Sequence, residues 1–136
     1  MKLKALTKNV KTSFGESKYK VEADAVITAK GVIITIFGGE EPHIGAVAIA
    51  VPRPSLGKTS KISSTSSVYT LIGHKDDDIA KPVAGMLARE LNEVVVVIVG
   101  IHVDDATDEE IKILMNNSQK VIEKLLENIK NREKDT

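Results

Sequence analysis

The stretch Val94-Val95-Val96-Val97-Ile98-Val99-Gly100-Ile101-His102-Val103-Asp104-Asp105 limits the folding of this chain more than any other. An unbroken apolar run of this length, bounded by polar residues, is too short to cross a bilayer and reads as a strand covered on both faces in the middle of a sheet. Its far end turns polar at Gly100, His102, Asp104 and Asp105. Thr107 and Glu110 then have the spacing of a capping box, which opens a helix. The polar turn after a buried strand is where an α/β layer most often holds a ligand, so the search for function starts at His102.

At 136 residues the chain fits one domain. Residues 1–18 are basic and weakly patterned and are expected to form an arm or an edge strand. Residues 19–131 carry the domain, and 132–136 are expected to fray. From Tyr19 to Thr28 apolar and polar residues alternate with the period of a half-exposed strand. Ala29-Lys30-Gly31 makes a tight turn, and Val32 to Phe37 returns as the second strand of a hairpin. Ile44 to Val51 is a strand of small residues. Pro52-Arg53-Pro54-Ser55-Leu56-Gly57-Lys58 is a stiff extended connection, since each proline disfavours helix at the residue before it. Ser63 to Ser67 leads into a strand ending at Ile72. Ile79, Val83, Met86, Leu87 and Leu91 recur at helical spacing, with Asp77 or Asp78 expected as the N-cap because Pro82 is best tolerated in a first turn. A last helix from Asp108 to about Asn131 turns Ile111, Leu114, Val121, Ile122, Leu125 and Ile129 to one side. The expected fold is α+β: a two-layer domain with a mixed, mostly antiparallel sheet of about five strands in the order ββββαβα, and two helices packed on one face.

Composition narrows the function classes. Lys plus Arg and Asp plus Glu balance at 19 each, and only 3% of residues are aromatic. The chain therefore has neither the basic excess of a duplex binder nor the stacking platforms of a single-strand binder, and nucleic acid is excluded as the expected partner. With no cysteine there is no disulfide or thiolate metal site. The start Met-Lys-Leu-Lys-Ala-Leu-Thr-Lys lacks the apolar core of a signal peptide, so the expected location is cytoplasmic, with no membrane partner. Plentiful Lys, Glu and Ile without Cys or Trp follows the compositional trend of heat-adapted proteins. Exposed sheet edges and a polar Ser/Thr strand favour a homo-oligomer.

Topology then suggests convergence. If the strands over 32–37, 44–51 and 68–72 are successive antiparallel neighbours, and the helix after them makes a right-handed crossover to a parallel strand, one edge of the sheet collects all three histidines. His43 opens one strand while His74 and His102 close two others, each with a glycine one or two residues away at Gly45, Gly73 and Gly100. Three imidazoles with Glu40, Glu41, Asp76, Asp104 and Asp105 nearby suit a divalent ion, zinc or another histidine-binding metal. Helix capping by itself accounts for Asp77, Asp78, Thr107 and Asp108. Arg53 reads equally as a solvated loop charge or as a phosphate or carboxylate clamp, and no serine has a base and acid at triad spacing.

At Pro42-His43-Ile44-Gly45-Ala46-Val47, Pro52-Arg53-Pro54-Ser55, Gly73-His74-Lys75-Asp76-Asp77 and Gly100-Ile101-His102-Val103-Asp104, the chain resembles the LpdD-like family of prenylated-flavin chaperones, in the same order over roughly Gly38 to Asn117. The resemblance implies a small α+β accessory protein that supplies or matures prenylated flavin mononucleotide (prenylated FMN, prFMN) beside a UbiD-type decarboxylase subunit, with a flavin prenyltransferase as a further partner, and that does not itself decarboxylate. The residues carried over are His43, His74 and His102 for a metal, and Gly45, Arg53, Lys75, Asp76 and Asp104 for the cofactor. Tyr69 and Phe37 are the aromatic neighbours near the proposed edge. Two other readings stay open on the residues alone: a metal-dependent hydrolase or lyase with Asp104 or Glu41 as general base, and an interaction module that offers the strand edge at Ser63 to Val68.

Overall fold

The computed structural model describes residues 5–57, 61–71 and 76–134. Strands β1 (Lys8–Phe14), β2 (Val21–Thr28), β3 (Gly31–Gly39), β4 (Ala46–Pro54), β5 (Ile62–Thr70) and β6 (Val95–His102) form one sheet, with helices α1 (Asp76–Leu91) and α2 (Asp108–Lys134). The sheet order is β1-β2-β3-β6-β4-β5. The apolar run thus becomes an interior strand, parallel to β3 and antiparallel to β4.

This order corrects the expectation that the second and third strands of the domain are direct neighbours: β6 lies between β3 and β4. The hydrophobic pattern says which strand is interior but not which partner it takes. The physical reason for the insertion is in the β3–β4 connection, which is no hairpin. It arches over the end of β6, with the Glu40 N–H donating to the His102 carbonyl at 2.7 Å and the Gly45 N–H donating to the Val99 carbonyl at 2.9 Å. Strand directions are unaffected. Since β3 and β6 are parallel, and β4 opposes both β6 and β5, the ends of β3, β5 and β6 and the start of β4 share one rim.

The sheet has six strands rather than about five. The additional one, β1, pairs antiparallel with β2 from Lys8↔Ile27 to Phe14↔Val21, and only Val10 in it is buried, which is why it leaves so faint a sequence pattern. The predicted hairpin closes at Thr28↔Gly31, with Gly31 at φ 132°. β4 runs on through Pro52 and Pro54, which were expected in a connection. Beyond Ala50 it pairs with β5 and no longer with β6, so the prolines fall where one side of the strand needs no ladder.

Both helices cover the same face. Ala23, Ala25, Ile34, Ile36, Ala46, Ala48, Ala50, Val95, Val97 and Val99 point into the core with no exposed surface. α2 lies over β1 and β2, and α1 over β4, β5 and β6. Alanines on β4 meet Ala80, Ala84 and Ala88 of α1, so helix and strand approach closely, while Leu87, fully buried, contributes about 1.5–3 kcal/mol. α1 begins at Asp76, so Asp77 and Asp78 belong to its first turn and do not cap it as expected. Pro82 sits inside the helix, past the first turn, and supplies no N–H to the Asp78 carbonyl.

The opposite face departs from expectation. β6 is covered on one side only, because no helix of the described residues lies over Val26, Ile33, Phe37, Val47, Ile49, Val51, Val96 or Ile98. Ile33, Ile49 and Val51 are 42%, 44% and 48% exposed on this open face.

The amino-terminal part of the chain is tied to α2 through Glu110. Its carboxylate accepts from Lys18 Nζ at 2.8 Å and from the Tyr19 hydroxyl at 2.8 Å, and it closes the predicted capping box with Thr107 at 3.1 Å in both directions. The Lys18 ammonium first, then the Thr107 N–H and the Tyr19 hydroxyl, hold the Glu110 carboxyl down at about 2 from an ordinary 4.5. A carboxyl depressed in the folded state stabilises above its unfolded pKa and loses that contribution as pH falls from about 4.5 towards 2. Chemical denaturation as a function of pH should therefore show Glu110→Gln less stable than wild type at neutral pH, with the two converging across that interval.

Candidate functional site

Glycines build the rim by letting backbones touch. Gly39, at φ 80°, turns the chain out of β3 where a Cβ would collide with the His102 carbonyl. At Gly100 a Cβ would strike the His43 carbonyl, so the His43 backbone lies directly on β6. The arch therefore sets the His43 ring beside that of His102, with centroids 6.1 Å apart and planes at 84°.

Asp76, the first residue of α1, enters from the other side with its side chain only 4% exposed. Its Oδ1 accepts from the Ile101 N–H at 3.1 Å, which fastens the helix to the end of β6. Its Oδ2 is 3.3 Å from His43 Nε2, yet it is buried without a hydrogen-bond partner among the described residues. Such an atom leaves about 1–3 kcal/mol of desolvation uncompensated. His43 Nδ1 is 3.1 Å from the Glu41 carbonyl, which can only accept, so Nδ1 is the donating nitrogen. In the neutral ring Nε2 is then an acceptor beside a second acceptor. What satisfies such a pair is a proton on Nε2 or a cation shared by both atoms. Two ligands each about 2.0–2.1 Å from a tetrahedral ion are about 3.4 Å apart, close to the separation here. Gly45 is part of the same arrangement: a Cβ on it would occupy the position of the Asp76 carboxylate.

The solvent side of the rim is acidic. His102 Nε2 is 2.8 Å from Asp104 Oδ1, and the Asp104 N–H donates to Glu40 Oε1 at 3.0 Å. Ligand atoms of Glu41, His102 and Asp104 all lie within 4.8 Å of one another. No lysine or arginine among the described residues forms an ion pair with Glu40, Glu41, Asp76 or Asp104. Like charges about 4 Å apart repel by roughly 1 kcal/mol in water and about 4 kcal/mol at an effective dielectric near 20, so the rim attracts cations and repels an unassisted anion.

The structure thus gathers His43, Gly45, Asp76, His102 and Asp104, drawn from the β3–β4 connection, α1, β6 and the turn after β6, at one rim. His74 and Lys75 lie outside the described residues. Arg53 sits near the other end of β4, roughly 25 Å along the strand from Gly45 at about 3.3 Å per residue, and is not among the residues gathered at the rim. Arg53 was grouped with them because the family resemblance carries over the Pro52-Arg53-Pro54-Ser55 motif, which has no bearing on where the segment lies. Sequence reasoning named Glu41 as a neighbour of the histidines and as an alternative general base, and the signal that joins Glu41 to His102 is the Gly38-Gly39 pair, which turns the chain across β6. Phe37 pairs with Gly100 on the open face close to this rim, and Tyr69 pairs with Val47 on the same face, 71% exposed.

Comparison with known proteins agrees with the architecture. No curated protein matches the chain. Among solved structures, a chain from a novel chaperone complex for yeast 20S proteasome assembly superimposes with a TM-score of 0.59 at 18% identity, over 93% of this chain and 98% of its own. That likeness is one of fold. The sequence profile of the prenylated flavin chaperone LpdD-like domain matches residues 15–130, a span that includes every rim residue described above, and the chain belongs to that family.

Proposed function

We propose that the chain binds prenylated FMN and delivers it to, or helps mature it in, a UbiD-type decarboxylase in the cytoplasm, with a flavin prenyltransferase as the source of the cofactor. The chain acts as a chaperone and not as the decarboxylase. His43, Asp76 and His102 hold a divalent cation at the rim, with Glu41 and Asp104 within reach. His74 is added as a third imidazole on its sequence position, and Lys75 as a nearby cationic contact for phosphate. The observation that carries this reading is the buried Asp76 Oδ2, 3.3 Å from His43 Nε2 and without a hydrogen bond among the described residues, in a chain of the prenylated flavin chaperone family. When bound, the cation supplies the positive charge by which an acidic rim can accept the dianionic phosphate of the flavin. The protein's own part is to hold both imidazoles and the buried carboxylate in place through the glycine contacts, and to offer Phe37 and the aliphatic open face beside them.

The open face also supports a homodimer. Sheet dimensions of about 4.8 Å per strand and 3.3 Å per residue give it roughly 600–700 Å², near the ~800 Å² that each partner commonly buries in a stable complex. Two copies stacked face to face would cover Ile33, Ile49 and Val51. No helix among the described residues is long and apolar enough to cross a membrane.

Calorimetric titration with zinc or manganese should show a bound ion in the wild type and an affinity lower by about tenfold or more in Asp76→Asn and in His102→Ala. Prenylated FMN, reduced and oxidised, should bind the metal-loaded protein more tightly than the chelated one; absence of flavin binding in every state would reject the reading. Light scattering should find a dimer that Ile49→Lys converts to a folded monomer, and a monomeric wild type would remove the stacked-sheet arrangement.

A further inference from the structure

At the other end of β4, a groove of about 600 Å³ runs between β5 and the middle of α1. Its chemistry is the reverse of the rim's. Arg53 of β4 and Lys81 and Arg89 of α1 line it, together with the hydroxyls of Ser64, Thr65 and Ser66 of β5 and with no carboxylate. None of the three cations forms an ion pair among the described residues. A surface charge ordinarily has the opposite charge interspersed near it, and here none contributes to the wall.

The cations are also positioned. Arg53 Nε donates to Thr65 Oγ1 at 2.9 Å and its Nη1 to the Pro54 carbonyl at 3.2 Å, which fixes the guanidinium plane against β5. Ser64 Oγ donates to the Gly85 carbonyl at 3.0 Å and in turn accepts from Arg89 Nη1 at 3.4 Å. Gly85 lets α1 lie this close to the serines: a Cβ there would come within 2.9 Å of Ser66 Oγ and 3.2 Å of Ser64 Oγ. Two anchored guanidiniums, an ammonium and short hydroxyls make a donor-rich surface of the kind that planar forks present to phosphate oxygens.

We propose that this groove is a second ligand site, specific for a phosphate monoester of a small molecule. The volume lies within the range of small-ligand sites and exceeds what inorganic phosphate alone would fill. Its two guanidiniums stand about 20 Å or more from the histidine rim along β4 and α1, and the site stands whether or not the rim holds a metal. A nucleic acid strand fits it poorly, because no aromatic residue lines it for bases to stack on.

The test is an amide-resolved titration of chelator-treated protein at low salt with inorganic phosphate, FMN and riboflavin. Phosphate and FMN are expected to shift the signals of Ser64 to Ser66 and of Lys81 to Arg89, with shifts that weaken as salt is added, while riboflavin leaves them in place. Stronger binding of FMN than of phosphate supports an ester site, and binding of phosphate as tight as that of FMN overturns it. The exposed substitutions Lys81→Gln and Arg89→Gln, with unchanged melting temperature, should each weaken the interaction by roughly tenfold or more, whereas His102→Ala should not change it. The site is overturned if neither phosphate compound perturbs the groove, if riboflavin matches FMN, or if binding persists undiminished in both variants.

Discussion

The contact on which the rest depends is between backbones: the His43 carbonyl seated on Gly100, where no side chain would fit. It exists because β6 is inserted between β3 and β4, so the connection that joins those strands must pass over the end of β6. Strand insertion and active-rim geometry are therefore one event. If β3 and β4 were simple hairpin partners, His43 would stand at a turn with no strand end beneath it. With β6 between them, two imidazoles remote in sequence come within 6.1 Å, and Asp76 reaches the same place because α1 leads into β6.

The sequence was informative where a physical requirement repeats along the chain. The Val94 to Asp105 run had to be interior, Thr107 and Glu110 had to cap a helix, and Ala29-Lys30-Gly31 had to close a hairpin, since each pattern satisfies a local need. Strand order is not a local need. Nothing in Ile44 to Val51 distinguishes β3 from β6 as its neighbour, and both partners offer β-branched residues of similar size. The direction argument survived this ambiguity, because inserting a strand parallel to β3 leaves all four ends where they were. The end of β4 was misplaced for a different reason. Proline at 52 and 54 is compatible with an extended connection and with the one-sided end of a strand, and only the limit of β6 pairing at Ala50 separates the two. The spacing of Lys81 and Arg89 carries no hint of the second groove, since the hydroxyls and the arginine that complete it come from β5 and β4.

A formal net charge of zero conceals a polarised domain. At one end of the sheet Glu40, Glu41, Asp76 and Asp104 cluster with two histidines; towards the other, Arg53, Lys81 and Arg89 line a groove without acids. Whole-chain composition excludes a polyanion track, and it says nothing about a compact anionic ligand, which senses charge only within about a Debye length of 8–10 Å. Arg53 stands about 25 Å from Gly45 along β4 and Arg89 about 20 Å from Asp76 along α1, while Lys81, about 7.5 Å from Asp76 along the helix, lies where the two fields meet.

The alanine-lined interior explains how these ends keep their geometry. With Ala46, Ala48 and Ala50 facing Ala80, Ala84 and Ala88, there are few side-chain rotamers between α1 and the sheet to absorb a shift. Displacing α1 at Asp76 would move its hydrogen bond to Ile101, and displacing it at Gly85 would move the serines that seat Arg89. A helix held by small residues is thus a rigid bar with a carboxylate at one end and a cationic groove along its middle. Rigidity of this kind suits the proposed function, because a fixed site presents the same face to a ligand when it arrives and when it leaves.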